Sequence, residues 1–351
     1  MRSSPWLSVA AASSALLGGC GARVPARWRD EDGARDLLEQ MLRSSQSPWA
    51  PKMPLATSDL IDGPLIRTAL LTTVSFVLIS MQLLHKPILI NVLLAALVTV
   101  ALVIFAIWVS TSLELIPLLL LHRVYDGSAQ RWCLLMFWSM CILASVIFCV
   151  IVSVKNQSST IHRKFFHLTV SLIAISGFRY DPDFVILSAL LMTCIFVILE
   201  VLRSAKVPPW HETLSEWLLV FLDAQDSPEL ILTPIFLIIG IFLPVFWNPP
   251  GADHVIHAYH YAGVITVGVG DSAAAIVGST LGRHQWKRSK KTIEGSLAMW
   301  VAQVVAVFLL CPAAEISVVW TIVVCGLCAA LEAGLQRGDN VILPLFCYLM
   351  L

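Results

Sequence analysis

The chain has 351 residues, of which 58% are hydrophobic and 13% charged, with a mean hydropathy of +0.81. Soluble domains carry about 25% charged residues, so this composition marks a polytopic membrane protein. The formal net charge is zero, which excludes the broad basic field that nucleic-acid binding needs, so any anion site must be local.

Residues 1–62 are rich in Pro, Ser, Arg and Gly, and the opening MRSSPWLSVAAASSALLGGC has the small-residue pattern of a signal segment. We expect this atypical stretch to be disordered and to lie outside the catalytic fold. From Leu65 the apolar runs reach the roughly 20 residues that cross a hydrocarbon core. Expected spans are Leu65–Leu84, Trp132–Val154, Asp183–Leu202, Leu230–Trp247, Tyr261–Leu281, Leu297–Cys311 and Ile316–Leu335. The run Pro87–Leu121, counted as one span, would be about 50 Å long as one helix, so it must tilt, break near Pro117 or run on along the interface. Phe165–Phe178 is a short span closed by Gly177 and Pro182. In residues 203–229, Trp210, Leu214, Trp217, Leu218 and Phe221 repeat at helical spacing, the pattern of an amphipathic helix lying in the membrane interface. The tail Val341–Leu351 is too short to cross alone, so we expect that the chain either stops early or tucks this tail against the bundle. The expected fold is all-α, a polytopic transmembrane helix bundle, with N-terminal transmembrane helices over 63–154 and a catalytic transmembrane domain over 155–351.

Orientation follows the excess of Lys and Arg in short cytoplasmic loops. Residues 283–291, RHQWKRSKK, hold five basic residues and no acid, which places the loop 283–296 in the cytoplasm. Counting spans outward from it puts 155–164 and 336–340 on that same face. The count thus gathers IHRKFFH, the 268–296 stretch and GDN at one cytoplasmic site.

The chemistry concentrates in GVGDSAAAIVGSTLGRHQWKRSKKTIEGS, Gly268 to Ser296. A carboxylate at Asp271 inside an apolar segment is costly unless it is paired, protonated or metal-bound. Gly268 and Gly270 would let the helix open and bring backbone N–H groups to a phosphate, with Asp271 and Ser272 in the first turn. Asp271 would then hold Mg²⁺ or another divalent cation, which takes carboxylates, waters and substrate phosphates. Asp271 precedes the basic loop by about 12 residues, roughly 18 Å of helix, so without an opening it would lie too deep to meet a nucleotide. Ala274, Gly278 and Gly282 form a small-residue face suited to close helix packing. Lys290, Lys291, Thr292, Glu294 and Gly295 combine two cations, a hydroxyl, an acid and a flexible residue just before a span, a set that favours triphosphate binding over the alternative of a basic patch that only attracts anionic lipid headgroups. Arg163, Lys164 and His167 are either interfacial anchors or further phosphate contacts, with Lys164 and His167 on one helix face. Asp339 and Asn340 suit metal and hydroxyl ligation or form a plain turn, with Glu332 about two turns earlier. His254, His257 and His260 have triplet spacing, but on a helix the outer two diverge by about 120°, which is unsuited to one metal.

These residues together, GVGDSAAAIVGSTLGRH followed by KKTIEGS, with RKFFH upstream and GDNVILP downstream, resemble the CTP-dependent polyprenol kinases, most closely the dolichol kinases of eukaryotes. The resemblance covers roughly Ile161–Leu351. It implies transfer of the γ-phosphate of CTP to the terminal hydroxyl of dolichol, at the endoplasmic reticulum membrane and from a cytoplasm-facing site, to give the lipid carrier for protein glycosylation. By position it implies that Gly268, Asp271, Lys290, Lys291, Thr292, Glu294 and Gly295 form the CTP site, and that Asp339 and Asn340 match the closing acidic element. Rival readings are a kinase of a shorter isoprenoid alcohol such as phytol, a CTP:phosphatidate cytidylyltransferase, and a transporter in which Asp271 and Glu114 mark an ion path.

Overall fold

In the computed structural model the described residues are 55–125, 127–155, 160–218, 226–227, 229–251, 254–287, 289, 291–311, 315 and 317–351. Among them the regular elements are helices, with only two isolated β-bridges. In chain order they are α1 Leu55–Gln82, α2 Pro87–Trp108, α3 Ile116–Val124, α4 Ala129–Lys155, α5 Thr160–Tyr180, α6 Pro182–Ser204, α7 Trp210–Leu218 and α8 Thr233–Trp247, then a π-helical segment Val264–Asp271, α9 Ser272–Thr280, α10 Ile293–Leu310, α11 Val318–Gly334 and α12 Asp339–Met350. Helix α1 reaches back past the expected boundary at residue 62, and residues 1–54 lie outside the described set.

Six described segments are long and apolar enough to cross a membrane: Leu60–Gln82, Pro87–Trp108, Ala129–Val152, Pro182–Ser204, Ala258–Thr280 and Ile293–Leu310. Two expected spans are shorter than read. Helices α8 and α11 have 15 and 17 residues, below the roughly 20 needed for an upright crossing. Helix α5, with 21 residues, is longer than the expected Phe165–Phe178 because it begins inside the polar stretch and carries IHRK in its first turns. Gly177 does not end it. A Cβ at Gly177 would overlap the Val185 side chain, so glycine here serves the packing of α5 against the start of α6. The run Pro87–Leu121 breaks after Trp108, ahead of Pro117; a 3₁₀ turn, Leu113–Leu115, carries exposed Glu114, and Pro117 falls in the first turn of α3, where its missing N–H costs nothing.

The described residues form two compact units, and the chain passes between them within α4, α6 and α7. The first contains α1 to α3 and residues 190–212. Its apolar centre joins Ile61, Phe105, Ala106, Val109, Ile116 and Leu119. Two charged pairs are buried here, and both are bidentate. Arg123 donates to both Asp62 oxygens at 2.7 and 2.6 Å, and Arg203 donates to both Glu200 oxygens at 2.8 and 2.6 Å. Forked geometry of this kind is what makes a desolvated ion pair tolerable. In α7, which begins in this unit and ends in the second, Trp210, Glu212, Glu216 and Trp217 are exposed and Leu218 is buried, while Phe221 of the expected apolar face lies outside the described residues.

The second unit holds residues 138–189 and 213–351. Its centre is the π-helical segment, where Val264, Ile265, Thr266, Val267, Gly268, Gly270 and Asp271 are all buried, with α5, α8, α10 and α12 packed around it. The C-terminal helix tucks inward as expected, burying Leu343, Pro344 and Cys347. Its first turn rests on α8 at Gly240, where an added Cβ would overlap the Asn340 carbonyl oxygen. Backbone cannot swing aside as a side-chain tip can. Gly240→Ala is therefore expected to cost at least about 1–3 kcal/mol, the scale of overpacking, read as a lower midpoint of thermal unfolding in detergent; an unchanged midpoint would refute this packing.

Candidate active site

The site is built from four chain segments of the second unit. The first is α5, which sets Lys164 and His167 on one face. Lys164 Nζ is in direct ionic contact with Asp271, and His167 Nε2 lies 3.6 Å from the same carboxylate oxygen. His167 is only 3% exposed. Its backbone carbonyl accepts from Ser171 Oγ at 2.7 Å, and Ser171 fills the space that a side chain at position 268 would need.

The second segment is the π-helix itself, which ends on Asp271. The expected opening at Gly268 and Gly270 does not occur: the helix runs unbroken from the π segment into α9. The two glycines admit side chains of neighbouring helices instead, Ser171 at Gly268 and Gln303 at Gly270. A π turn is common at functional sites, and here it carries the buried Asp271 into the cluster.

The third segment is the basic loop, which folds back on itself. Gln285 and Thr292 form an antiparallel bridge, Trp286 N donates to the Lys291 carbonyl at 3.0 Å, and Ile293 N donates to the His284 carbonyl at 2.8 Å. Gly295 then packs against Gly278 and the Ala274 carbonyl, so the first turn of α10 lies alongside α9. This return resolves the depth problem without opening the helix. Ala274, Gly278 and Gly282 thus serve the close helix contact that their spacing implies.

The fourth segment is the α11–α12 connection. Gly338 takes φ +77°, a left-handed turn that glycine adopts without strain, and it aims Asp339, at the start of α12, towards Glu332, in the last turn of α11. Lys291 bridges them. Its Nζ lies 2.6 Å from Glu332 Oε1, donates to the Glu332 backbone carbonyl at 2.8 Å, and is 3.5 Å from Asp339 Oδ2. Burial pulls the Lys291 pKa down, but the neighbouring Glu332, Asp339 and Asp271 carboxylates outweigh it and hold the ammonium above the ordinary lysine value.

Ligand atoms of Asp271, Glu332 and Asp339 all lie within 4.8 Å of one another. Three carboxylates, two ammonium groups and one imidazole therefore meet at one place, with an excess of one negative charge when His167 is neutral. An all-oxygen set of this kind fits a hard divalent cation. Glu332 was not singled out as a ligand from the sequence, yet it satisfies the argument that singled out Asp271, being a lone carboxylate in an apolar helix.

Other candidate residues have different duties. Thr292 is the N-cap of α10, its hydroxyl accepting from Gly295 N at 3.1 Å. Glu294 pairs with His284, 2.6 Å from Nδ1, outside the carboxylate cluster. Asn340 stands next to Asp339 with its carbonyl against Gly240. Ser272 follows Asp271 with its hydroxyl buried. Lys290 lies outside the described residues, as does the side chain of Arg163. The three histidines go to separate partners: His254 to Asp183, His257 to Glu315, and His260 to the Asn248 carbonyl.

Residues 59–310 match the family model described as dolichol kinase, a region that starts well before the motifs and takes in Lys164, Asp271 and Lys291. The chain is 33% identical over 269 residues to the dolichol kinase of Homo sapiens, covering 70% of this chain and 49% of that protein. It is 29% identical to dolichol kinase EVAN of Arabidopsis thaliana, over 65% of this chain and 41% of the relative, and 29% identical to the dolichol kinase of Saccharomyces cerevisiae, over 66% and 44%. The chain thus spans about half the length, or less, of the curated relatives it matches. No solved structure matches it. With the family model covering most of the chain and the charged cluster falling on the motif residues, the chain belongs to the dolichol kinase family.

Proposed function

We propose that this protein is a CTP-dependent dolichol kinase, working at the endoplasmic reticulum membrane with its site facing the cytoplasm. The observation that carries the reading is the meeting of Asp271, Glu332 and Asp339 with Lys164 and Lys291 in the second unit. Phosphoryl transfer demands positioning and charge stabilisation more than covalent chemistry. Asp271, Glu332 and Asp339 would hold a divalent cation such as Mg²⁺, with Asn340 adjacent. That ion would supply neutralisation of phosphate charge.

Lys164 and Lys291 sit against the carboxylates. On nucleotide binding these ammonium groups turn to the β- and γ-phosphates, with Lys290 and Arg163 as further cations of the same loop and helix. A bond forms between the dolichol oxygen and the γ-phosphorus, the bond from that phosphorus to the β–γ bridging oxygen breaks, and CDP leaves. The hydroxyl proton passes to a carboxylate, Asp271 in this reading. Thr292, Gly295 and Glu294 shape the loop that presents Lys291, and the packed Gly268 and Gly270 set the position of Asp271.

The test is an acceptor and donor matrix with purified protein in lipid nanodiscs: CTP against ATP, each with dolichol, phytol and diacylglycerol. The reading expects phosphorylation of dolichol from CTP to exceed every other pairing. Preference for phytol would move the substrate assignment to shorter isoprenoid alcohols, and no transfer to any lipid would overturn it.

A further inference from the structure

Gln303 lies on α10, a membrane-spanning helix, and is 0% exposed. Neither its Nε2 nor its Oε1 has a hydrogen-bond partner among the described residues. An amide buried at membrane depth with donor and acceptor both unpaired works against folding. Nothing in the packing of α10 demands it, since methionine or leucine would fill the same volume. Its position gives the reason for keeping it. The amide rests on Gly270, the residue before Asp271, with Nε2 only 2.6 Å from where a Cβ at 270 would stand. Glycine at 270 is what lets the amide come so close. On the other side of Asp271, the Ser272 hydroxyl is also buried and unpartnered among the described residues. Two unsatisfied polar side chains thus neighbour Asp271, Ser272 by sequence and Gln303 through its packing on Gly270.

We propose that Gln303 binds the hydroxyl of the lipid acceptor, an inference that rests on the reading of this protein as a polyprenol kinase. An alcohol donates one hydrogen bond and accepts at least one, and a single carboxamide offers the matching acceptor and donor. Depth selects the alcohol over the nucleotide base: Gln303 lies ten residues, about 15 Å, along α10 from its loop end, inside a segment apolar enough to cross the membrane, where the end of a prenol belongs and a charged nucleotide does not. A hydroxymethyl end needs space for two heavy atoms there. Met299, one turn earlier on the same helix and also 0% exposed, is the kind of unbranched, adaptable side chain that yields such space.

The experiment is Gln303→Met in the full chain in nanodiscs, with Gln303→Asn as a second variant that keeps the amide but draws it back by one methylene. Three readouts are taken: KM for CTP, KM for a short water-dispersible polyprenol, and the midpoint of thermal unfolding with and without that polyprenol in the absence of nucleotide. We expect Gln303→Met to unfold at the same or a higher temperature, because an unpaired amide has been removed. Its kcat/KM for the polyprenol should fall about tenfold, the worth of roughly one hydrogen bond, with KM for CTP within about twofold, below any such loss. The polyprenol should raise the unfolding midpoint of the wild type but not of Gln303→Met, with Gln303→Asn in between. A lower midpoint for Gln303→Met with unchanged polyprenol kinetics would overturn the proposal and give the amide an internal or water-mediated structural role. A wild type that transfers no phosphate to any polyprenol would overturn the kinase reading and this inference with it.

Discussion

Asp271→Asn is expected to lower transfer from CTP to a polyprenol by at least about a hundredfold, the scale on which one preorganised electrostatic group acts in a dry site. The substitution is isosteric, so packing around the π segment is retained and the loss is one of charge. That loss has two consequences which can be separated. Asp271 is in ionic contact with Lys164, and both side chains are largely buried. Removing one member of such a pair leaves the other uncompensated and costs about 3–5 kcal/mol when fully desolvated, so the single variant should also be less stable. The double variant Asp271→Asn/Lys164→Met removes both charges and should recover much of the unfolding midpoint, since an apolar replacement for a buried pair is often neutral. It should recover none of the activity. Recovery of transfer in the stabilised double variant would mean that Asp271 acts only as a counterion for Lys164, and the assignment of this site would fail.

Lys291→Met should affect both the nucleotide and the fold. The Lys291 ammonium ties the last turn of α11 to the start of α12 through the Glu332 carboxylate, the Glu332 carbonyl and the Asp339 carboxylate. Without it two neighbouring acids face each other with less compensation, and the connection at Gly338 loses its clasp. Discounted for partial solvent access to the lysine, the expected destabilisation is about 1–3 kcal/mol. KM for CTP should rise about tenfold or more, as loss of a charge-assisted contact to phosphate predicts. Lys291→Arg is not expected to rescue either property. The planar guanidinium cannot place three donors on a carboxylate, a carbonyl and a second carboxylate that surround a point charge. Saturation kinetics in CTP and thermal unfolding of the two variants check both claims. Wild-type KM in Lys291→Met would remove this residue from the phosphate site.

Much of the bundle is legible in hydropathy, because crossing a hydrocarbon layer demands length and apolarity and little else. The spans at Leu60–Gln82, Ala129–Val152 and Pro182–Ser204 lie close to where the apolar runs put them. Helix ends near polar motifs are less legible. Thr160 to Lys164 read as loop because they are polar, yet they form the first turns of α5, where Lys164 gains a buried partner that sequence distance conceals. The small-residue face is legible because Ala274 and Gly278 of α9, and Gly282 just beyond its end, recur at helical spacing. Gly268 and Gly270 were misread as an opening, because a glycine that admits a neighbouring side chain and a glycine that frees the backbone look alike in sequence. What separates them is the presence of Ser171 and Gln303, distant in the chain. The return of the basic loop depends on backbone pairing between 284 and 293 that no side-chain pattern announces. Glu332 joins the cluster only because the turn at Gly338 folds α12 back alongside α11, which sets the last turn of one beside the first turn of the other.

The fate of the label decides between phosphoryl and cytidylyl transfer when the purified protein, in nanodiscs containing dolichol, is given CTP labelled at either the α- or the γ-phosphorus. Phosphoryl transfer by the cluster of Asp271, Glu332, Asp339, Lys164 and Lys291 predicts that γ-label appears in a dolichyl phosphate and that α-label remains in soluble CDP. Lipid that acquires the α-label, or lipid that acquires neither, would contradict it.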